Sequence, residues 1–464
     1  MNPPAPVATK SDHTPPRDHS ELVHAVQVAL TGALALFGLW VLEGTGPLPN
    51  HVSPLRRRWR LGRRALASTA GVVLAAHLLL LSPMPSYLPY SQPIRINRVM
   101  AYAVNCDSPL FMRLANFPRE ILTPMHPRQS RPGYVAASAL ATSTVGPAMS
   151  ALGLDRAYGQ TDRAYLPLVL INLLVAAASV AMLGWLLARL GTPLPAAIAL
   201  SGLLAVNDLT KPFYWTPHQQ MFSLFVPLAT ILVVRWMLRS RPSWLAVSLA
   251  GLGVGVASLF YGSFIITAGA GALVLLARRW RGVLLGGLFL AASVVPPVAW
   301  MMICKKLVGS YYSHELGAYH EFIWLPEAAR AGWHALAVAV STMSIVTIRE
   351  LVEVCGPMLS IILGLGILAL FLRVRLAAGN AEQRAILIGA AVTIVVGIFF
   401  TWGIGIIASR LMFHIFPALI VVAGWMAARF SGRGRRAEWV VGIALSATTL
   451  ALVVAELLAH GPYD

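Results

Sequence analysis

One carboxylate stands in an arginine-rich segment of this chain, in Asn105-Cys106-Asp107-Ser108-Pro109. Between Ser82 and Pro132 six arginines (Arg95, Arg98, Arg113, Arg119, Arg128 and Arg131) face only Asp107 and Glu120. A carboxylate in such company can take a proton from a hydroxyl while guanidinium groups hold an anionic partner. Asp before Ser-Pro also suits a helix cap, here for a short helix over Leu110–Asn116, so the residue types leave two roles open for Asp107. In His126-Pro127-Arg128-Gln129-Ser130-Arg131-Pro132 the prolines restrict the backbone around Arg128 and Arg131. Preset guanidinium forks bind phosphate in bidentate fashion. Arg113 is a further phosphate candidate, and His126 a candidate sugar or acceptor contact.

Polar groups recur in three later segments. Arg410, in Ala408-Ser409-Arg410-Leu411-Met412-Phe413-His414, lies about one and a half turns into an expected span, at phosphate-headgroup depth. His414 would then share its face at i, i+4, as a sugar or acceptor contact, although a buried, satisfied histidine suits it better when taken alone. The segment Asn207–Gln220 mixes Asp208, Trp215 and His218 with further aromatic residues, which suits either a sugar platform or an interfacial aromatic belt. Lys305-Lys306 supplies cations, with Lys305 a phosphate candidate, and His314-Glu315 and His320-Glu321 follow. Those two His-Glu pairs do not match the i, i+4 spacing of a helical metal motif, so no metal or other cofactor is expected, and a divalent ion there is left as a weak alternative.

The elements that must position these groups are membrane helices. With 57% hydrophobic residues, 12% charged and a mean hydropathy of +0.69, the composition excludes an ordinary soluble domain. Apolar runs of bilayer length predict an all-α, polytopic transmembrane bundle of about twelve spans. The expected spans are 24–43, 65–83, 164–188, 194–206, 219–238, 243–260, 262–277, 282–303, 352–372, 385–402, 405–428 and 438–459. Residues 1–21 read as a polar, disordered tail, and 22–464 as one membrane domain with an outer loop over 82–163. Within that loop the run Gly133–Leu154, interrupted by Gly, Ser, Thr and Pro, predicts an interfacial helix, with a full crossing as the alternative.

A net charge of +18 invites a nucleic-acid reading, but its placement answers it. The connections after alternate spans hold twenty arginines, from Arg56 to Arg436, against Glu43, Glu382 and Glu438. This is the positive-inside pattern, which puts those loops in the cytoplasm and Asp107 outside. No nucleic-acid partner is expected. Span centres are almost free of charge, whereas ion and proton pathways place charged groups at midplane. The chemistry is therefore expected at the outer membrane surface. Of three cysteines, Cys106, Cys304 and Cys355, the first two are placed to bridge two outer loops, although free thiols suit an odd count better.

Two apolar spans followed by an outer loop with Asp107, then Arg113 and Arg-Pro-Gly-Tyr at 131–134, resemble the C-type (GT-C) glycosyltransferases. Arg410 followed by Phe416-Pro417-Ala418 in a late span is similar to them as well. The resemblance implies a carboxylate base in the first outer loop, interfacial helices after it, and basic residues on a lipid-linked phosphate. It thus implies an inverting transferase that moves sugar from a polyprenyl-phosphate donor to a glycan, glycolipid or protein acceptor. The setting would be the bilayer of a bacterial cytoplasmic membrane, at its outer face. The chain departs from that pattern in its extra span, 24–43, and in a carboxylate without an acidic neighbour. Two other classes fit the same composition: a lipid-linked saccharide flippase or other transporter, and a non-catalytic membrane assembly protein.

Overall fold

The structure, a computed structural model, describes residues 92–95, 101–105, 107–151, 163–205, 207, 210–214, 216–240, 242–277, 279–377, 379–405, 409–431 and 435–460. The expected tail, the spans 24–43 and 65–83, and Cys106, Asp208 and Trp215 lie outside the described residues. The first described element is a short antiparallel ribbon, β1 (Gln92–Arg95) against β2 (Ala101–Val104), in which Gln92 faces Val104. Helix α1 (Ser108–Asn116) follows, then a 3-10 turn over Pro118–Leu122 and helix α2 (Pro132–Ala151), which starts on a proline suited to a first helical turn. Phe111 of α1 and Tyr134 of α2 meet edge to face, 4.9 Å between ring centroids, and both are fully buried.

The rest of the chain is helical: α3 (Tyr165–Leu190), α4 (Leu194–Ala205), α5 (Phe222–Arg239), α6 (Trp244–Ser258), α7 (Ile265–Leu276) and α8 (Arg279–Val308). Then come α9 (His314–Tyr319), α10 (Trp324–Arg330), α11 (Trp333–Phe371), α12 (Ala381–Ile404), α13 (Ser409–Met412), α14 (Phe416–Ser431) and α15 (Arg435–His460). Five of the described segments are long and apolar enough to cross a membrane: α3, Gln219–Arg239, Trp280–Val308, α11 and α12. Outward-facing Leu174, Val283, Ile345, Leu363 and Phe399 give four of these helices an apolar exterior, which suits lipid and would be a liability in water.

Two expected spans need correction. The run 352–372 is the C-terminal part of α11, a helix of 39 residues with no break at residue 352. At 1.5 Å per residue it extends to about 58 Å, roughly twice a bilayer core. The run 405–428 is divided, because Pro417 has no N–H and its ring excludes an α-helical carbonyl four residues back. The chain turns at Phe413–Ile415 between α13 and α14, so Arg410 and His414 do not share a helix face. Helices α4 and α7, of 12 residues each, reach only about 18 Å and are too short to cross alone.

Two packing details set up the site. Gly251 and Gly255 let α6 lie directly on α8; a Cβ at either would come within 2.6 Å or 2.4 Å of the carbonyls of Phe289 and Ser293. Small residues four apart are a common means of close helix approach in membranes. On α3 the buried amide of Asn172 donates to the carbonyls of Phe213 (2.9 Å) and Thr216 (2.7 Å). That amide anchors the loop carrying His218, and leaving it unpaired would cost about 1–3 kcal/mol.

Candidate functional site

Asp107 is the N-cap residue of α1, yet its carboxylate makes no capping hydrogen bond. Asn105 performs that task. Its Oδ1 accepts from the backbone N–H of Asp107 (3.0 Å), the backbone N–H of Ser108 (2.9 Å) and the Ser108 hydroxyl (2.9 Å). This Asx turn satisfies the start of α1 and leaves the Asp107 carboxylate for other partners. Oδ1 accepts from Nη2 of Arg128 in a close ion pair, and Oδ2 lies 3.2 Å from Nε2 of His218.

The histidine tautomer follows from its other nitrogen. His218 Nδ1 accepts the backbone N–H of Gln220 at 3.0 Å, so in the neutral ring the proton sits on Nε2 and is donated to Asp107. Burial pushes the His218 imidazole below its ordinary value and outweighs the attraction of Asp107. Burial also works against ionisation of Asp107. The His218 hydrogen bond and the charges around it, with Arg128 and Arg410, overcome this and hold the carboxyl well below the usual range. The ring faces of the site are apolar: Phe111 lies under the Arg128 guanidinium at 5.3 Å and edge-on to His218 at 5.8 Å.

These groups open onto a cavity of about 450 Å³. Its polar end carries Asp107, Arg128, Arg131, His218, Glu315, Glu321 and Arg410; its apolar wall is built by Val254, Phe264, Ile265, Ala268, Val294 and Pro297 of α6, α7, α8 and the turn before α7. Arg131 pairs with Glu315 at 2.6 Å, and the hydroxyls of Ser130 (3.0 Å) and Ser313 (3.1 Å) donate to the same carboxylate. Gln129 secures this arm: its Oε1 accepts the Tyr312 N–H (2.8 Å), and its carbonyl accepts the Trp300 indole N–H (2.7 Å). Arg410 is exposed to the cavity, and among the described residues its guanidinium forms no ion pair. Its backbone carbonyl is held by Gln220 Nε2 at 3.2 Å.

The expected site residues thus divide. Asp107, Arg128, Arg131, His218 and Arg410 meet on one cavity, although they come from four separate stretches of chain. Arg113 does not join them: it pairs with Glu120 at 2.6 Å on an exposed face. Lys305 is exposed near the end of α8 and does not line the cavity. His126 stands behind the site, where its Nδ1 accepts the Arg128 N–H at 3.1 Å. His414 is buried, stacked on Tyr261 at 5.7 Å, with Nδ1 2.6 Å from the Leu411 carbonyl. Cys304 and Cys355 are buried free thiols.

Asn105 as the cap is not legible from residue types alone, and Glu315 and Glu321 stand out in the sequence only as weak metal candidates. Among the described residues no group of three or more His, Cys, Asp or Glu is arranged to hold a metal ion. No protein-family model matches the chain, and no curated protein does either.

Proposed function

We propose that this cavity is the active site of a membrane glycosyltransferase of the GT-C type. In this reading it moves a sugar from a polyprenyl-phosphate donor to an acceptor hydroxyl at the outer face of a bacterial cytoplasmic membrane. One observation carries the reading. Asp107, released from capping by Asn105, faces a cavity that joins three arginines to an apolar wall. An amphiphile with a phosphate head and a prenyl tail has the matching polarity. The same cavity supports a catalytic role over that of an assembly protein in which Asp107 only caps a helix.

The acceptor hydroxyl gives its proton to Asp107 as its oxygen attacks the anomeric carbon. The bond from that carbon to the phosphate oxygen breaks, and its electron pair leaves with the phosphate. Preorganised positive charge is most valuable where negative charge develops, and Arg410, which forms no ion pair among the described residues, lines the cavity for that purpose. Arg128 has two employments. In the resting pair it suppresses the basicity of Asp107; an arriving phosphate competes for the guanidinium and returns basicity to the carboxylate. His218 is a positioning residue that fixes Oδ2 through its Nε2–H. Attack opposite the leaving group inverts the anomeric centre.

The experiment is a chromatographic assay of the purified protein with undecaprenyl-phosphate-linked glucose, mannose and galactose, and membrane extract as acceptor. The reading expects transfer accompanied by release of undecaprenyl phosphate. Intact donor across the panel counts against it.

A further inference from the structure

The mechanism above leaves two carboxyls of the cavity unused, Glu315, which is paired with Arg131, and Glu321. Glu321 lies in the tight turn between α9 and α10 and lines the same space as Asp107, Arg131 and Arg410. Both its neighbours are non-glycine residues in the left-handed region, His320 at φ 53° and Phe322 at φ 62°. Such conformations are uncommon, persist only where surrounding structure enforces them, and concentrate at functional sites.

The enforcing contacts are specific. The Glu321 N–H donates to the Glu315 carbonyl (3.2 Å), and the Phe322 N–H to the Ile404 carbonyl (3.2 Å). The Trp324 indole N–H donates to the Gly403 carbonyl at 3.0 Å. Gly405, at φ 77°, ends α12 so close to that indole that a Cβ would fall 2.1 Å from it. The turn is thus tied to α9 on one side and to the end of α12 on the other. Among the described residues the Glu321 carboxyl takes part in no hydrogen bond or ion pair, while Glu315 beside it is matched by Arg131, Ser130 and Ser313.

We infer that Glu321 is a second catalytic carboxyl that works in its protonated form, delivering a proton to the phosphate oxygen that leaves the anomeric carbon. The inference rests on the glycosyltransfer reading. The charged groups facing Glu321 are Glu315 on α9, Arg131 from the loop before α2, and Arg410 on α13. Burial and the charge of Glu315 raise its carboxyl to about 7 against the pull of the two arginines. A departing phosphate monoester has its second pKa at about 6, so the proton moves between groups of similar acidity. The balance closes: the acceptor proton goes to Asp107, the Glu321 proton goes to the departing phosphate, and solvent exchange restores both carboxyls after release.

The test compares wild type, Glu321→Gln and Glu321→Asp in the full-length protein, using whichever undecaprenyl-phosphate hexose of the panel the wild type turns over. In Glu321→Gln kcat is expected to fall about 10²-fold, within the range of general acid catalysis, with donor KM nearly unchanged. The loss of rate as pH rises through about 7 disappears in that variant, because the titrating acid is gone. Glu321→Asp, which keeps an acid, retains such an alkaline limb. Geranylgeranyl phosphate binding and melting temperature check that both variants are folded. An unchanged kcat and an unchanged alkaline limb in folded Glu321→Gln overturn the inference. A wild type that consumes no donor overturns the glycosyltransfer reading and the inference together, an outcome separable from the first.

Discussion

Asp107 and Arg128 form an ion pair across 21 residues of chain, one at the start of α1 and the other in the proline-bounded loop before α2. Both side chains are largely shielded from water, at 19% and 8% exposure, so each would be costly to leave alone. The pair therefore does two things. It ties the start of α1 to the loop before α2, and in the proposed mechanism it keeps the base inactive until an anion competes for the arginine.

Asn105 is what makes that pair available. Asn105→Ala removes an acceptor shared by three donors and is expected to cost about 1 kcal/mol of stability, the usual size of a lost cap. With Asn105 gone, the Asp107 carboxylate is drawn into capping the Leu110 N–H, the first position within its reach that carries one after Pro109, so transfer should fall at least tenfold. A thermal melt together with the transfer assay checks both effects; a melt shifted as expected with full activity refutes the link between cap and base.

Glu321 gives stability a pH dependence of known sign. Its carboxyl titrates near 4.5 when unfolded and at about 7 in the fold. The folded state therefore binds more protons between those values, and the contribution is complete below pH 4.5 and lost as pH rises through 7. Allowing for solvent screening at this half-buried site, the effect is of the order of 1–2 kcal/mol. Glu321→Gln should flatten the decline in melting temperature between pH 5 and 8. A variant whose melting temperature falls as steeply as that of wild type contradicts the assignment.

Much of this site was legible in the chain before its fold was known, for a simple reason. Charged groups are rare in so apolar a sequence, and those that occur outside the positive-inside loops need a purpose; Asp107, Arg128, Arg131 and Arg410 stood out on that ground. Helices α3 and α12 also follow their apolar runs to within a few residues. What stayed hidden depends on backbone geometry or distant pairing. Asn105 caps α1 only because of the turn it makes, and Ser130 finds Glu315 across 185 residues. Arg113 looked like its neighbours until its side chain met Glu120 seven residues on. His414 is buried as its residue type suggests, but the break before Pro417 removes the helical register that would have aligned it with Arg410.

Arg410 and Arg113 make a paired test of which arginines serve the cavity. Arg410→Gln removes the guanidinium that is free of ion pairs among the described residues, and should raise the donor KM about 10- to 100-fold, the worth of one or two charged hydrogen bonds. Arg113→Ala removes an exposed pair and should change turnover less than about twofold. Equal effects from the two variants, measured in one kinetic series, argue that the cavity is not the phosphate site.

The central claim is that Asp107 is the base and Arg128 its regulated partner. Asp107→Asn tests it most directly, read in parallel by donor turnover and by binding of geranylgeranyl phosphate. Without the carboxylate there is no acceptor for the hydroxyl proton, so turnover should drop at least about 10³-fold. Arg128, no longer engaged, should bind the phosphate at least as tightly as in wild type. Loss of turnover with retained or tighter phosphate binding is the predicted result; near-normal turnover in the folded variant contradicts it.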